Sequence, residues 1–128
     1  MIVRTRVALI LVVDDEFSVA EVIQSALADA GHEVIMAVNG RHGLERLSER
    51  PPDLVVVDFM MPIMDGPAML RTMRDNPAYC NIPGVIMSSL PESAVAKAAQ
   101  GLYAEFLRKP FQLAALVNVV QIVMGART

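Results

Sequence analysis

Five short apolar runs, at 7–13, 34–38, 54–57, 84–88 and 105–108, recur along this chain with helix-patterned segments between them. The runs ending near 13 and 57 are rich in Val, Ile and Leu and lack period-two alternation, as strands buried on both faces do. Strand and helix alternating through short connections constrain a chain to a parallel sheet covered by helices on both faces. With 128 residues, the expectation is one α/β domain, 1–128, large enough for a proper core.

The segments between the runs carry their own punctuation. Residues 17–30 place Val19, Val22, Ile23, Ala26, Leu27 and Ala30 at helical spacing and stop at Gly31, a C-cap residue. Segment 40–49 opens at Asn39 as N-cap, is weakened by Gly43 and ends before Pro51-Pro52. Segment 66–75 has Asp65 as N-cap and Pro67 in its first turn. Ser89-Leu90-Pro91-Glu92 reads as a capping box that opens a helix to Gly101, and Pro110 opens the last helix, 111–124. Rossmann-like and flavodoxin-like strand orders both suit such a chain. Five strands favour the flavodoxin-like order 2-1-3-4-5, whose switch point lies between strands 1 and 3.

Charge excludes other classes. A net charge of −3 and a pI near 5.3 argue against a nucleic-acid surface, which needs a basic stripe. The basic spots Arg4/Arg6 and Arg71/Arg74 read as solvated positions. A chain 54% hydrophobic and 20% charged is not disordered. A single cysteine, Cys80, forms no internal disulfide and reads as a loop or buried thiol. The apolar start resembles a signal peptide, but Asp14-Asp15-Glu16 follows without a small-residue cleavage site. No stretch approaches the roughly 20 apolar residues of a membrane span. The expected location is the cytoplasm. His32 and His42 have no partners at ligand spacing and read as surface residues.

Chemistry gathers at the strand ends. Asp14-Asp15-Glu16 follows the first run, and Asp58 ends the third. In an open α/β sheet, neighbouring strands would bring these carboxylates into one crevice. Like charges that close raise each other's pKa unless a cation neutralises them, and Mg²⁺ suits oxygen ligands. Ser88-Ser89 ends the fourth run, and Lys109-Pro110 the fifth. Acids, hydroxyl and ammonium at one sheet edge suit a phosphoryl group, whose transfer asks mainly for positioning and charge neutralisation. Capping of the first helix is the rival reading of Asp14 and Asp15, although a cap needs one acid and Glu16 could serve.

With Asp14-Asp15, Asp58-Phe59-Met60-Met61-Pro62-Ile63-Met64-Asp65-Gly66, Ser88 and Lys109-Pro110-Phe111 in order, the chain resembles the receiver domains of two-component response regulators, chemotaxis-type stand-alone regulators among them. The resemblance implies that Asp58 accepts a phosphoryl group from a histidine kinase or histidine phosphotransfer protein. Asp15, Asp58 and the Met60 carbonyl would ligate Mg²⁺, with Asp14 holding it through water. Lys109, after a cis bond to Pro110, would pair with Asp58 or a phosphoryl oxygen. Ser88, or less well Ser89, would be the switch hydroxyl, and Phe106 the switch aromatic or else a core residue. Met60, Met61 and Met64 read as packing around the loop rather than as sulfur ligands.

Met60 and Leu90 occupy positions that flank the phosphoryl group in this family. Apolar side chains there cannot orient an attacking water, so a long-lived phosphorylated form is expected. From Phe111 to Met124 there is no charged residue, with Ala114, Ala115 and Ile122 near the polar side. That points either to a harmless outer face or to a partner surface of helix 4, strand 5 and helix 5, a homodimer included. The length leaves no room for an output domain, so the expected output is an unidentified downstream protein or the next carrier in a relay. The resemblance implies that the chain is not an enzyme beyond catalysing its own phosphorylation and dephosphorylation. A Mg²⁺-dependent phosphohydrolase with an aspartyl-phosphate and a non-phosphorylated adaptor are the alternatives.

Overall fold

Branched aliphatic residues fill the central strands because both faces of the sheet are covered, and every residue of the third and fourth strands is buried. The computed structural model describes residues 7–125, so the Arg4/Arg6 spot lies outside the described residues. The strands are β1 Leu9–Val13, β2 Glu33–Ala37, β3 Leu54–Asp58, β4 Gly84–Ser88 and β5 Glu105–Arg108. The helices are α1 Phe17–Asp29, α2 Gly40–Glu49, α3 Gly66–Arg74, α4 Glu92–Ala99 and α5 Leu113–Gly125. The order is β2-β1-β3-β4-β5, all parallel, as expected.

Alternate strand residues feed two cores. Ile10, Val12, Val56 and Met87 meet Ile23 and Leu27 of α1 and Leu116 and Val120 of α5. Leu11, Val13, Val55 and Val57 meet Leu47 of α2, Met69, Leu70 and Met73 of α3 and Val95 of α4. Each fully buried Leu or Val contributes about 1.5–3 kcal/mol. Among the described residues, no helix is long and apolar enough to cross a membrane.

Local signals fare unequally. Asn39 and Asp65 cap α2 and α3, accepting from the His42 and Ala68 N–H groups at 2.9 Å. Gly31, at φ 96°, ends α1. The capping box is corrected: α4 starts at Glu92 behind Pro91 with no side-chain cap, and Ser89 caps nothing. The Leu90 N–H turns instead to Ser88 Oγ at 3.1 Å, so the chain is still in the β4–α4 loop at Ser89. This helix ends at Ala99, two residues before Gly101, and α5 begins at Leu113 because the Gln112 carbonyl is the first to accept helical bonds.

Three surface assignments also change. His32 is buried; its Nδ1 accepts from the Ala8 N–H at 3.0 Å, and burial pushes its pKa down. His42 is half-buried, its Nδ1 accepting from the Val38 N–H at 3.1 Å. Arg74 is half-buried too, and donates to the carbonyls of Cys80 (3.1 Å), Ile82 (2.7 Å) and Leu102 (3.1 Å). Those carbonyls have turned out of regular structure, and the guanidinium fork satisfies them together. Arg71 stays exposed with one bond to the Ala98 carbonyl. Replacing Arg74 with Met is expected to cost about 2–4 kcal/mol in urea unfolding, because buried acceptors lose their donor. Arg71→Met is expected to cost about 1 kcal/mol or less.

Candidate functional site

Register brings the acids together. β1 and β3 are neighbours with Val13 opposite Val57, so Asp14 and Asp58 leave adjacent strands at the same level. The Asp14 N–H extends the ladder to the Ala37 carbonyl at 3.1 Å, and its Oδ1 accepts from the Glu16 N–H at 2.9 Å. One carboxylate oxygen each from Asp14, Asp15 and Asp58 lies within 4.8 Å of the others, two of these residues buried and Asp15 exposed. Asp14 Oδ2 is buried without a hydrogen-bond partner.

Lys109 reaches the cluster from β5. Its N–H donates to the Ser88 carbonyl at 2.8 Å, and its bond to Pro110 is cis. The Nζ lies 3.1 Å from Asp58 Oδ1 and 3.8 Å from Asp14 Oδ2. The Phe59 N–H also bonds Asp58 Oδ1, at 3.1 Å. Ser88 is buried at the end of β4, whereas Ser89 is exposed. Met60 lines a shallow pocket with Asp15 and is 69% exposed, and Leu90, whose N–H bonds Ser88 Oγ, is exposed. Phe106 is half-buried against the core formed with α2, α3 and α4.

Two features escaped the sequence reading. Gly66 admits Asp58 closely: a Cβ there would sit 2.5 Å from the Asp58 carbonyl oxygen. Ile63, between Met60 and Gly66, adopts φ 71°. Asp65 was legible as an N-cap, but nothing in the residue types signalled a left-handed isoleucine.

A family model for the response regulator receiver domain matches residues 10–121. The chain belongs to the response regulator receiver family. It is 34% identical over 113 residues to response regulator RR06 of Streptococcus pneumoniae, a match covering 88% of this chain and 51% of that protein. It is 35% identical over 123 residues to the transcriptional regulatory protein PrrA of Mycobacterium tuberculosis, covering 92% and 50%. The chain thus spans about half the length of these curated relatives. The solved chemotaxis response regulator CheY4 of Vibrio cholerae has a TM-score of 0.86 at 27% identity, covering 92% of this chain and 99% of that one.

Electrostatics of this receiver match a cation site. Burial is the main force pushing Asp14 above the ordinary 3.8; the Asp58 and Asp15 charges add to it, against the Glu16 N–H and Lys109. Burial also raises Asp58 above 3.8, against the Lys109 hydrogen bond and charge. Burial would lower Lys109, but the Asp58 and Asp14 carboxylates prevail and raise it. One ammonium therefore does not relieve these acids fully. Converging hard oxygens, one an orphaned buried atom, fit a divalent ion such as Mg²⁺.

A carboxyl whose folded pKa is raised binds its proton more tightly when folded. Its stabilising contribution is complete below pH 3.8 and lost as pH rises through the folded value. Asp14→Asn, which keeps an acceptor for Glu16, is expected to stabilise the metal-free receiver at pH 7 and to flatten its decline above pH 3.8. Urea unfolding with chelator across a pH series measures this. Added Mg²⁺ is expected to reverse the order of the two proteins, since it stabilises the state that binds it.

Proposed function

We propose that this receiver is a phosphorylation-dependent switch that accepts a phosphoryl group on Asp58 from a histidine kinase or histidine phosphotransfer protein. The supporting observation is the Asp58 carboxylate held 3.1 Å from the Lys109 ammonium inside the three-acid cluster. A carboxylate oxygen of Asp58 attacks phosphorus as the N–P bond of the donor's phosphohistidine breaks. The products are an acyl phosphate and a free imidazole. Asp15, Asp58 and the Met60 carbonyl would hold Mg²⁺, with Asp14 acting through water. The ion supplies charge neutralisation for the phosphoryl oxygens.

Lys109, already on Asp58, pairs with a phosphoryl oxygen once the group arrives. Ser88 Oγ gives up the Leu90 N–H and donates to another, drawing the β4–α4 loop inward. Phe106 then turns toward the space that Ser88 vacates. This biases an existing equilibrium toward a second surface of α4, β5 and α5. The exposed, uncharged Ala114, Ala115, Asn118, Gln121 and Ile122 of α5 suit a downstream protein or a second copy.

The donor's approach has support as well. An apolar groove of about 640 Å³ between α1 and the start of α5, floored by Val19, Ile23 and Phe111, ends at Ser89 and Lys109. A donor protein seated there reaches Asp58 from the groove's open end. The reading places the receiver in the cytoplasm, where such donors present their histidines.

Incubation with acetyl phosphate and Mg²⁺, read by intact mass, is expected to give one alkali-labile phosphoryl adduct, absent in Asp58→Asn. No adduct in the parent chain defeats the reading. Met60→Asn with Leu90→Glu is expected to shorten the adduct's lifetime about tenfold or more, because polar groups can then orient water. An unchanged decay removes Met60 and Leu90 from the account.

A further inference from the structure

The β3–α3 loop carries a backbone cost at a tight turn, where the Met64 N–H donates to the Pro62 carbonyl at 2.7 Å across Ile63. Ile63 holds φ at 71° while the residue is 75% exposed. A β-branched residue avoids the left-handed region, and an exposed isoleucine gains little from burial. Such strain persists only where the surroundings over-determine the backbone. The restraints are identifiable. At one end the Gly66 N–H donates to the Phe59 carbonyl at 3.1 Å. At the other, the N–H of Gly40, first residue of α2, donates to the Met64 carbonyl at 2.9 Å. A Cβ on Gly40 would lie 2.7 Å from the Met64 oxygen and 3.1 Å from the Asp65 oxygen, both backbone atoms. Only glycine lets α2 come this close to the loop.

We propose that Gly40 is a positioning residue for the metal-binding loop, its N–H and missing side chain letting α2 hold Ile63 in its strained turn and fix the Met60 end beside Asp15. The proposal rests on reading the acidic cluster as a Mg²⁺ site. Gly40 is presented from a stiff turn. Asn39 is buried, its Oδ1 accepting from the His42 N–H and its carbonyl from the Gly43 N–H, both at 2.9 Å. His42 Nδ1 in turn accepts from the Val38 N–H at 3.1 Å. The β2–α2 turn therefore transmits its own position to the loop that follows Asp58.

Gly43 is a control within the same helix. A Cβ there would meet Met69 Cε at 2.8 Å and Sδ at 2.9 Å, the movable end of a flexible side chain, and Val13 Cγ2 less closely, at 3.3 Å. Identical substitutions one turn apart thus strike backbone in one case and a yielding methionine in the other.

Calorimetric Mg²⁺ titration of the full chain and its variants tests the proposal. Gly40→Ala is expected to weaken Mg²⁺ binding about tenfold, the scale of effects from groups that orient ligands. Gly43→Ala is expected to leave binding unchanged. Ile63→Gly is expected to raise the melting temperature, and in combination with Gly40→Ala to recover most of the lost affinity, because glycine lets the loop re-route around the new methyl. Hydrogen exchange outside residues 59–66 verifies that Gly40→Ala keeps its fold. Normal affinity in Gly40→Ala overturns the proposal, as does an equal loss in Gly43→Ala or a double variant with no recovery. A parent chain that takes up no Mg²⁺ overturns the metal reading itself and the proposal with it, whereas normal parent binding with an indifferent Gly40→Ala defeats the proposal alone.

Discussion

Negative charge forced together at the ends of β1 and β3 is the constraint on which the rest of this structure depends. Parallel pairing in register leaves Asp14 and Asp58 side by side, with Asp15 closing the group from the solvent side. Burial and mutual repulsion both oppose this arrangement, and the raised Asp14 and Asp58 carboxyls show that Lys109 offsets only part of it. A receiver built this way holds a standing demand for positive charge. The demand favours a divalent ion, and it draws the Lys109 ammonium to the Asp58 carboxylate.

The sheet supplies the rigidity that keeps such an unfavourable cluster in place. β3 and β4 are buried throughout, and hydrophobic layers on both faces hold them. Nothing in that interior yields when the acids repel. Adjustment is left to the loops beyond the strand ends, where Leu90 relies on a single bond to Ser88 Oγ and Ile63 is held against its preference. Stable strands carry the charges, and less secure loops are placed to respond to them.

Much of this was legible in the residues. Apolar runs, helix punctuation at Asn39, Asp65 and Gly31, and the five-strand count led to the observed order, because each signal is local. The acids and Lys109 were legible as strand-end residues, since the topology converts that position into proximity. The α4 start was misread because Ser89 and Glu92 have capping-box spacing, while Ser88 Oγ holds the Leu90 N–H and Pro91 opens the helix. His32 and Arg74 were assigned to the surface because polarity is a statistical guide. Their partners are backbone groups of Ala8, Cys80, Ile82 and Leu102, which no side-chain pattern announces. Gly43 looked like a helix weakness, but it marks a close approach to Met69. Gly40 is similar, its value lying in a contact between elements distant in sequence.

The most direct test of the central claim is a carboxyl-carbon NMR titration of Asp14 and Asp58, without divalent ions and then with saturating Mg²⁺. The account predicts that both carboxyls titrate above the ordinary 3.8 in the metal-free protein and move sharply downward when Mg²⁺ is added. Ordinary titration in the metal-free state, or values indifferent to Mg²⁺, would contradict it.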